Sequence, residues 1–362
     1  MLTQTLSTRT PTAIALEETL LWLCSVPSPI GDEKALCDAV SERLSRLPLP
    51  GKLRRYGDSI VVPVSREGDR PHIALVGHLD TVRTENGPAR IENGRCFGAG
   101  AADMKAGLAV MIVIAETLGE LGSCDVTLVF YAREEGPFAE NELGPVLDQD
   151  PELRKVDLAV CLEPSDNRLH LGCCGSLHAT VTFQGKTGHS ARPWEGENAI
   201  TKAAGLLDRL AVLAPIEHVI EGLVYRTTTT VTQANGGRGR NVVPDTFTLN
   251  LNHRFAPDTS LEQAQADVRA LVGEGSRVEF TDLAPAAMPS ANHPLVKKLL
   301  AAGIAVTEPK QAWTDVARFS ALGIPAVNFG PGENAQAHQK NESTELALLF
   351  QGYRILFSWL SA

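Results

Sequence analysis

The chain has 362 residues, with 33 lysines and arginines against 43 aspartates and glutamates, and hence a formal charge of −10. At roughly 150 residues per domain, that length implies about two domains with a full-sized core, and the 43% hydrophobic, 21% charged composition is that of an ordinary globule. The acidic balance excludes nucleic acid and anionic membrane as main partners, since both need a basic surface.

In chain order, the N-terminal MLTQTLSTRTPTAIAL lacks the charged start and apolar block of a signal peptide. HIALVGH (72–78), DVTLVFYA (125–132) and DLAVCLE (157–163) are continuous apolar runs bounded by polar or Gly/Pro punctuation, the pattern of strands buried on both faces of a parallel sheet. Between the first two, Met104 to Leu121 is apolar at helical spacing, with Asp103 just before it. The longest clean apolar run, Leu108 to Ala115, is far too short to span a bilayer. From about 175 to 285 the pattern changes: SLHATVTFQG, TTTTVTQANGG and DTFTLNLNHRF alternate, as in a sheet with one wet face. Helical stretches at 199–214 and 260–272 and a final RVEFTDL complete a strand–helix–strand–strand–helix–strand order, which reads as a split βαβ unit. A fourth buried strand, IPAVNFG (324–330), and a last helix over 344–360 return to the first pattern. The expected fold is α/β: a mixed, mostly parallel sheet with helices on both faces, formed by 1–174 and 286–362. An α+β, ferredoxin-like domain is inserted at 175–285. Seven cysteines without a CxxC pair fit free thiols in a reducing compartment, so a cytoplasmic location is expected.

Ligands of open parallel sheets bind beyond the carboxyl ends of the strands. There this sequence places His78 and Asp80, then Glu134 and Glu135, then Glu163, with Asp103 opening the helix and His338 following the last strand. Imidazoles and carboxylates without thiolates are a ligand set for zinc, manganese or cobalt. Two histidines and three carboxylates exceed the needs of one zinc and suit two ions sharing a carboxylate bridge. Asp80, two residues from His78, is placed to hold the other ring nitrogen. Of Glu134 and Glu135, one can bind metal while the other serves as a base. Singly, each has a bland reading: a surface His-x-Asp pair, an N-cap at Asp103, a solvated acidic pair. Together at successive strand ends, they favour a metal site. The Gly-rich FGAGAADMKAG (97–107) has a rival reading as a pyrophosphate cradle, which the negative charge of Asp103 at the third glycine position disfavours. Asn341-Glu342-Ser343 matches a glycosylation sequon without a secretory context.

GHLDTV (77–82), GAGAADMKAG (98–107), AREEG (132–136), CLEP (161–164), GKTGHSARPW (185–194) and AHQKNE (337–342) resemble, in order, the successive motifs of the M20 family of di-zinc amidohydrolases and peptidases. The resemblance implies a zinc-exopeptidase-like fold with a lid and dimerisation domain at 175–285, and hence a homodimer. It implies two zinc ions per subunit, with cobalt or manganese able to substitute. His78 and Glu163 would hold one ion, Glu135 and His338 the other, with Asp103 bridging and a cis peptide after it. Asp80 would orient His78, Glu134 would be the general base and acid, and His189 would reach across the dimer to the oxyanion. The segment 313–332 is similar to the desuccinylases of the family, which implies N-succinyl-LL-2,6-diaminopimelate as substrate. Arg192, Asn241, Arg254, Thr314 and Arg318 stand in family-like contexts for binding its carboxylates. Cys173-Cys174 stands where many desuccinylases carry basic residues. That departure leaves room for other N-acyl amino acids, such as N-acetylornithine, or dipeptides. A non-catalytic binding protein on the same scaffold is the rival from another class, and the intact set of Glu134 and five ligands counts against it.

Overall fold

The computed structural model describes residues 10–119 and 122–362, so the first nine residues of the N-terminal segment lie outside it. The chain divides into two compact units: one holds the chain up to Leu171, Ser290–Glu308 and Arg318–Ala362, the other Gly172–Pro289 and Pro309–Ala317. The excursion of 309–317 into the second unit differs from the expected boundary. Neutral polar ties hold it there: Trp313 Nε1 donates to Pro285 O at 3.0 Å, and Gln311 links the strand Leu223–Gly236 through Arg226 N and Val224 O. Such ties leave no hydrophobic period to read.

The first unit is built on an eight-stranded sheet in the order Arg54–Tyr56, Ser59–Ser65, Asp125–Tyr131, His72–His78, Leu158–Cys161, Ala326–Asn328, Leu169–Leu171, Thr307–Pro309. The four central strands are mutually parallel, and Ser59–Ser65 and Leu169–Leu171 flank them antiparallel. The parallel strands are the four continuous apolar runs, nearly inaccessible along their length as a sheet covered on both faces requires. The flanking strands and a three-stranded sheet of Arg90–Glu92, Arg95–Phe97 and Ser343–Glu345 are additions to the expected elements. The helix Lys105–Thr117 is buried from Lys105 to Ile114, packing on the strand His72–His78 and against the helices Pro11–Ser25 and Leu346–Ser361. That burial on all sides explains an apolar sequence with no polar stripe. It is shorter than the expected 104–121, whose last two residues lie outside the described residues. Close approach is possible because Gly77 has no side chain: a Cβ there would meet Leu108 Cδ2 at 2.6 Å and Met104 Cε at 2.7 Å.

The second unit is an antiparallel five-stranded sheet in the order Ile216–Ile220, Leu223–Gly236, Thr246–Phe255, Gly175–Gln184, Arg277–Ala284. Along Thr246–Phe255, alternate residues Phe247, Leu249, Leu251, His253 and Phe255 are buried, while Thr248, Asn250, Asn252 and Arg254 face away. The buried row meets the helices Ala199–Lys202, Ala204–Ala211 and Leu261–Val272 through Ala199, Ala203, Leu206, Ala264 and Val268. Two differences from expectation stand out. The first helix is broken at Ala203 and ends at Ala211, and Ile216–Ile220 adds a hairpin edge to the sheet. A short pair, Gly188–His189 with Val242–Val243, stands apart from the main sheet. Among the described residues no helix is long and apolar enough to cross a membrane.

Candidate metal centre

His78 ends its strand at the carboxyl edge of the parallel sheet, and the chain turns at once so that Ser28 Oγ donates to Leu79 O at 2.7 Å. The neighbouring strand Asp125–Tyr131 is followed by Arg133, whose φ of +63° swings the next two amides inward. Those amides meet the buried Asp80: Glu134 N donates to Oδ1 at 3.0 Å and Glu135 N to Oδ2 at 2.9 Å. The Asp80 side chain thus fixes the acidic pair as well as standing beside His78. The expected carboxylate contact with the imidazole is long, 3.6 Å from Nδ1 to Oδ1, and the shorter partner of Nδ1 is the Asp80 main-chain carbonyl at 3.0 Å.

Asp103 is not an N-cap. The position before Lys105 is Met104, which makes no side-chain cap, and the peptide Asp103–Met104 is cis, as the family resemblance implied. The carboxylate of Asp103 instead looks into the site. Its Oδ1 lies 3.2 Å from His78 Nε2, and its Oδ2 lies 3.6 Å from His338 Nε2. His338 Nε2 is 2.9 Å from Glu135 Oε2. Ligand atoms of His78, Asp103 and Glu135 lie within 4.8 Å of one another. Glu163, buried after the strand Leu158–Cys161, adds its negative charge to the surroundings of His78.

The electrostatics agree with that geometry. Burial opposes a charge on His78, yet the Asp103 and Asp80 carboxylates and the charge of Glu163 outweigh it, and its pKa stands well above the usual imidazole range. Glu135 beside His338, helped by Asp103 and Glu342, raises that imidazole to about 9. Burial pushes against ionisation of Asp80, but the His78 ring and the two amides hold it below the ordinary carboxylate value. Carboxylates that raise both imidazoles make the pocket strongly negative. His78, Asp103, Glu135 and His338, linked by these distances, with the charge of Glu163 acting on His78, fit divalent cations such as zinc, and the absence of thiolates among them agrees with the same chemistry.

One member of this region escaped the sequence. Glu342, 2% exposed, accepts hydrogen bonds from Gly100 N at 3.0 Å and from Ala102 N and Asp103 N at 2.8 Å each. Its number falls inside the AHQKNE motif, and an acidic residue directly before a strand buried in a small sheet was the available signal.

The remaining expected residues divide between the units. Arg318 belongs to the first, where its guanidinium lies 3.8 Å over the Phe138 ring and donates to Phe138 O. His189, Arg192, Asn241, Arg254 and Thr314 belong to the second. His189 and Asn241 are neighbours there, since His189 pairs with Val242 and Ser190 N donates to Asn241 O at 3.0 Å. His189 is exposed, and its Nδ1 accepts from Ala191 N at 3.1 Å. Arg192 is exposed, 3.7 Å from Glu195. Arg254 is half-buried, with Nε donating to Asn252 Oδ1 at 3.0 Å and its charge disfavoured by burial. Thr314 is buried. Cys173 and Cys174 are buried too, and desolvation pushes their thiols up to about 12 and about 11, so they present no thiolate in place of the basic residues of relatives. No disulfide is formed among the described residues.

The model of peptidase family M20/M25/M40 matches residues 74–362. A Corynebacterium glutamicum protein named succinyl-diaminopimelate desuccinylase is 36% identical over 348 residues, covering 94% of each chain. A Mycobacterium tuberculosis protein that bears the same name provisionally is 38% identical over 322 residues, 88% of this chain and 90% of its own. Among solved structures, an M20 family metallo-carboxypeptidase from Sulfolobus solfataricus superposes with a TM-score of 0.78 at 16% identity, covering 96% of this chain and 98% of its own.

Proposed function

The chain belongs to peptidase family M20/M25/M40, and from that premise we propose that it is a zinc-dependent amidohydrolase that cleaves N-succinyl-LL-2,6-diaminopimelate to succinate and LL-2,6-diaminopimelate. The observation that carries the metal reading is the stance of Asp103, with one carboxylate oxygen toward His78 and the other toward His338. A carboxylate facing two imidazoles is the arrangement that a bridge between two ions requires. His78 and Glu163 would hold one zinc, His338 and Glu135 the other. The substrate reading rests on the names of the corynebacterial and mycobacterial relatives, both aligned over most of this chain.

Two zinc ions, when bound, supply Lewis acidity and lower the pKa of water in their reach. Glu134 does the proton work. It stands half-buried next to the proposed ligand Glu135, with its main chain fixed by Asp80, and so can take a proton from the attacking water and return it to the leaving amine. His189 suits the developing oxyanion. Because its Nδ1 accepts a main-chain N–H, the neutral ring carries its proton on Nε2, an exposed donor. In a homodimer that donor comes from the partner copy. Support for the dimer is exposed apolar side chains on the second unit at and before an open sheet edge: Val212, Ile216 and Val219 are 83%, 57% and 73% exposed. Arg254 and Arg192 are the candidate cations for the substrate carboxylates, and Asn241, Thr314 and Arg318 are further candidate contacts. The seven free, buried thiols support a cytoplasmic location.

Purified protein with added zinc, assayed for amine release from N-succinyl and N-acetyl substrates and dipeptides, tests the proposal. Preferential cleavage of the N-succinyl substrate supports it. Faster cleavage of N-acetylornithine or a dipeptide moves the activity elsewhere in the family, and zinc binding without hydrolysis of any of them indicates a binding protein.

A further inference from the structure

The strand Arg95–Phe97 pairs with Ser343–Glu345 so that Phe97 lies opposite Ser343. Directly beyond that pair, the glycine-rich loop leaves one strand just where Glu342 precedes the other, and Gly98 N donates to Glu342 O at 3.0 Å. The side chain then turns under the loop. Its two carboxylate oxygens gather the N–H groups of Gly100, Ala102 and Asp103, and its own N–H is fixed by Asn86 Oδ1 at 2.8 Å. Gly100 permits the fold of this loop, with φ +75° and no room for a Cβ, which would stand 2.6 Å from Thr81 Cγ2. Three convergent amides would otherwise be buried without acceptors, and a carboxylate satisfies them with charge-assisted bonds.

We infer that Glu342 is a positioning residue for metal binding: by holding the amide of Asp103 and two amides before it, it sets the direction in which the Asp103 carboxylate projects between His78 and His338. The inference rests on the proposal that Asp103 is a bridging ligand. It assigns the acidic residue of the AHQKNE motif to the loop that carries the bridge, although that loop lies about 240 positions earlier. Neighbours that hold a ligand in place are typically worth ~10–100-fold in metal affinity. Glutamine at this position keeps one acceptor oxygen and turns an NH2 donor toward at least one loop N–H, so the loop cannot keep its shape unchanged.

The test uses the full chain stripped of metal, with zinc affinity and stoichiometry measured by chelator competition and the visible spectrum recorded with cobalt. Glu342→Gln and Glu342→Ala are compared with wild type and with Asp103→Ala, and apoprotein melting and circular dichroism are followed for each. The expected result is a ~10–100-fold loss of zinc affinity in Glu342→Gln with a changed cobalt spectrum, in a protein whose circular dichroism matches wild type. Should Glu342→Ala fail to fold, the glutamine variant decides alone. A Glu342→Gln protein that melts earlier but binds zinc as tightly as wild type, with the wild-type cobalt spectrum, makes Glu342 a purely structural group and overturns the inference. Wild-type zinc binding by Asp103→Ala overturns the ligand assignment itself, which separates the two failures.

Discussion

The carboxyl edge of the parallel sheet and the outward face of the second unit's sheet use polar residues in opposite ways. At the parallel edge His78, Asp80, Asp103 and Glu163 are buried, and the first three are each tied to partners at hydrogen-bond distance. On the other sheet, Arg254 is half-buried and held through one nitrogen, and His189 and Arg192 are exposed on a small separate strand pair and the turn after it. The contrast separates two tasks. A site that must concentrate negative charge has to be enforced by its surroundings, because like charges repel. The proposed substrate cations are kept near water until a flexible, charged substrate replaces it.

Breaking the parallel edge gives the largest effects. Glu134→Gln should lower kcat by ~10²–10⁴-fold with zinc stoichiometry unchanged, because it removes the proposed proton acceptor and no proposed ligand; near-wild-type turnover at full zinc occupancy reassigns the base. Asp80→Ala comes next. It strands two part-buried amides, each costing up to about 1–3 kcal/mol, and loosens both glutamates. Thermal unfolding should therefore fall by several degrees together with kcat, and a loss of activity at unchanged stability would confine Asp80 to His78 alone.

The outward face should respond in KM. Arg254→Ala removes the proposed charge-assisted contact to a substrate carboxylate, about 1.5–3 kcal/mol, or roughly 10–100-fold in KM with kcat nearly kept. Lysine should restore part of this, since it returns the charge without the fork. A change confined to kcat would take Arg254 out of ground-state binding.

Legibility followed the same division. The four buried strands and the alternating strands were readable because burial imposes a period on sequence, and the polar residues at successive strand ends marked the edge. The helix break at Ala203 and the strand Ile216–Ile220 were not, because exposed, short elements owe little to hydrophobic pattern. Asp80 and Glu342 show the deeper reason. Their partners are main-chain amides, which any residue supplies, so Glu134 and Asp103 carry no trace in their side chains of the carboxylates that hold them.

The smallest effect tests whether the second unit's open edge is an interface. Val219 is 73% exposed on the edge strand, so Val219→Lys should leave folding within ~0.5 kcal/mol of wild type. In a dimer joined at this edge the same change buries a charge, and weakening of the dimer by at least ~10-fold, or 1.4 kcal/mol, is expected by sedimentation. If His189 acts across the dimer, activity measured below the new dissociation constant should fall to that of His189→Ala, and the double variant should be no worse than either. Additive losses would mean that the edge and the histidine serve separate ends, and a wild-type protein that sediments as a monomer would remove the dimer from the mechanism.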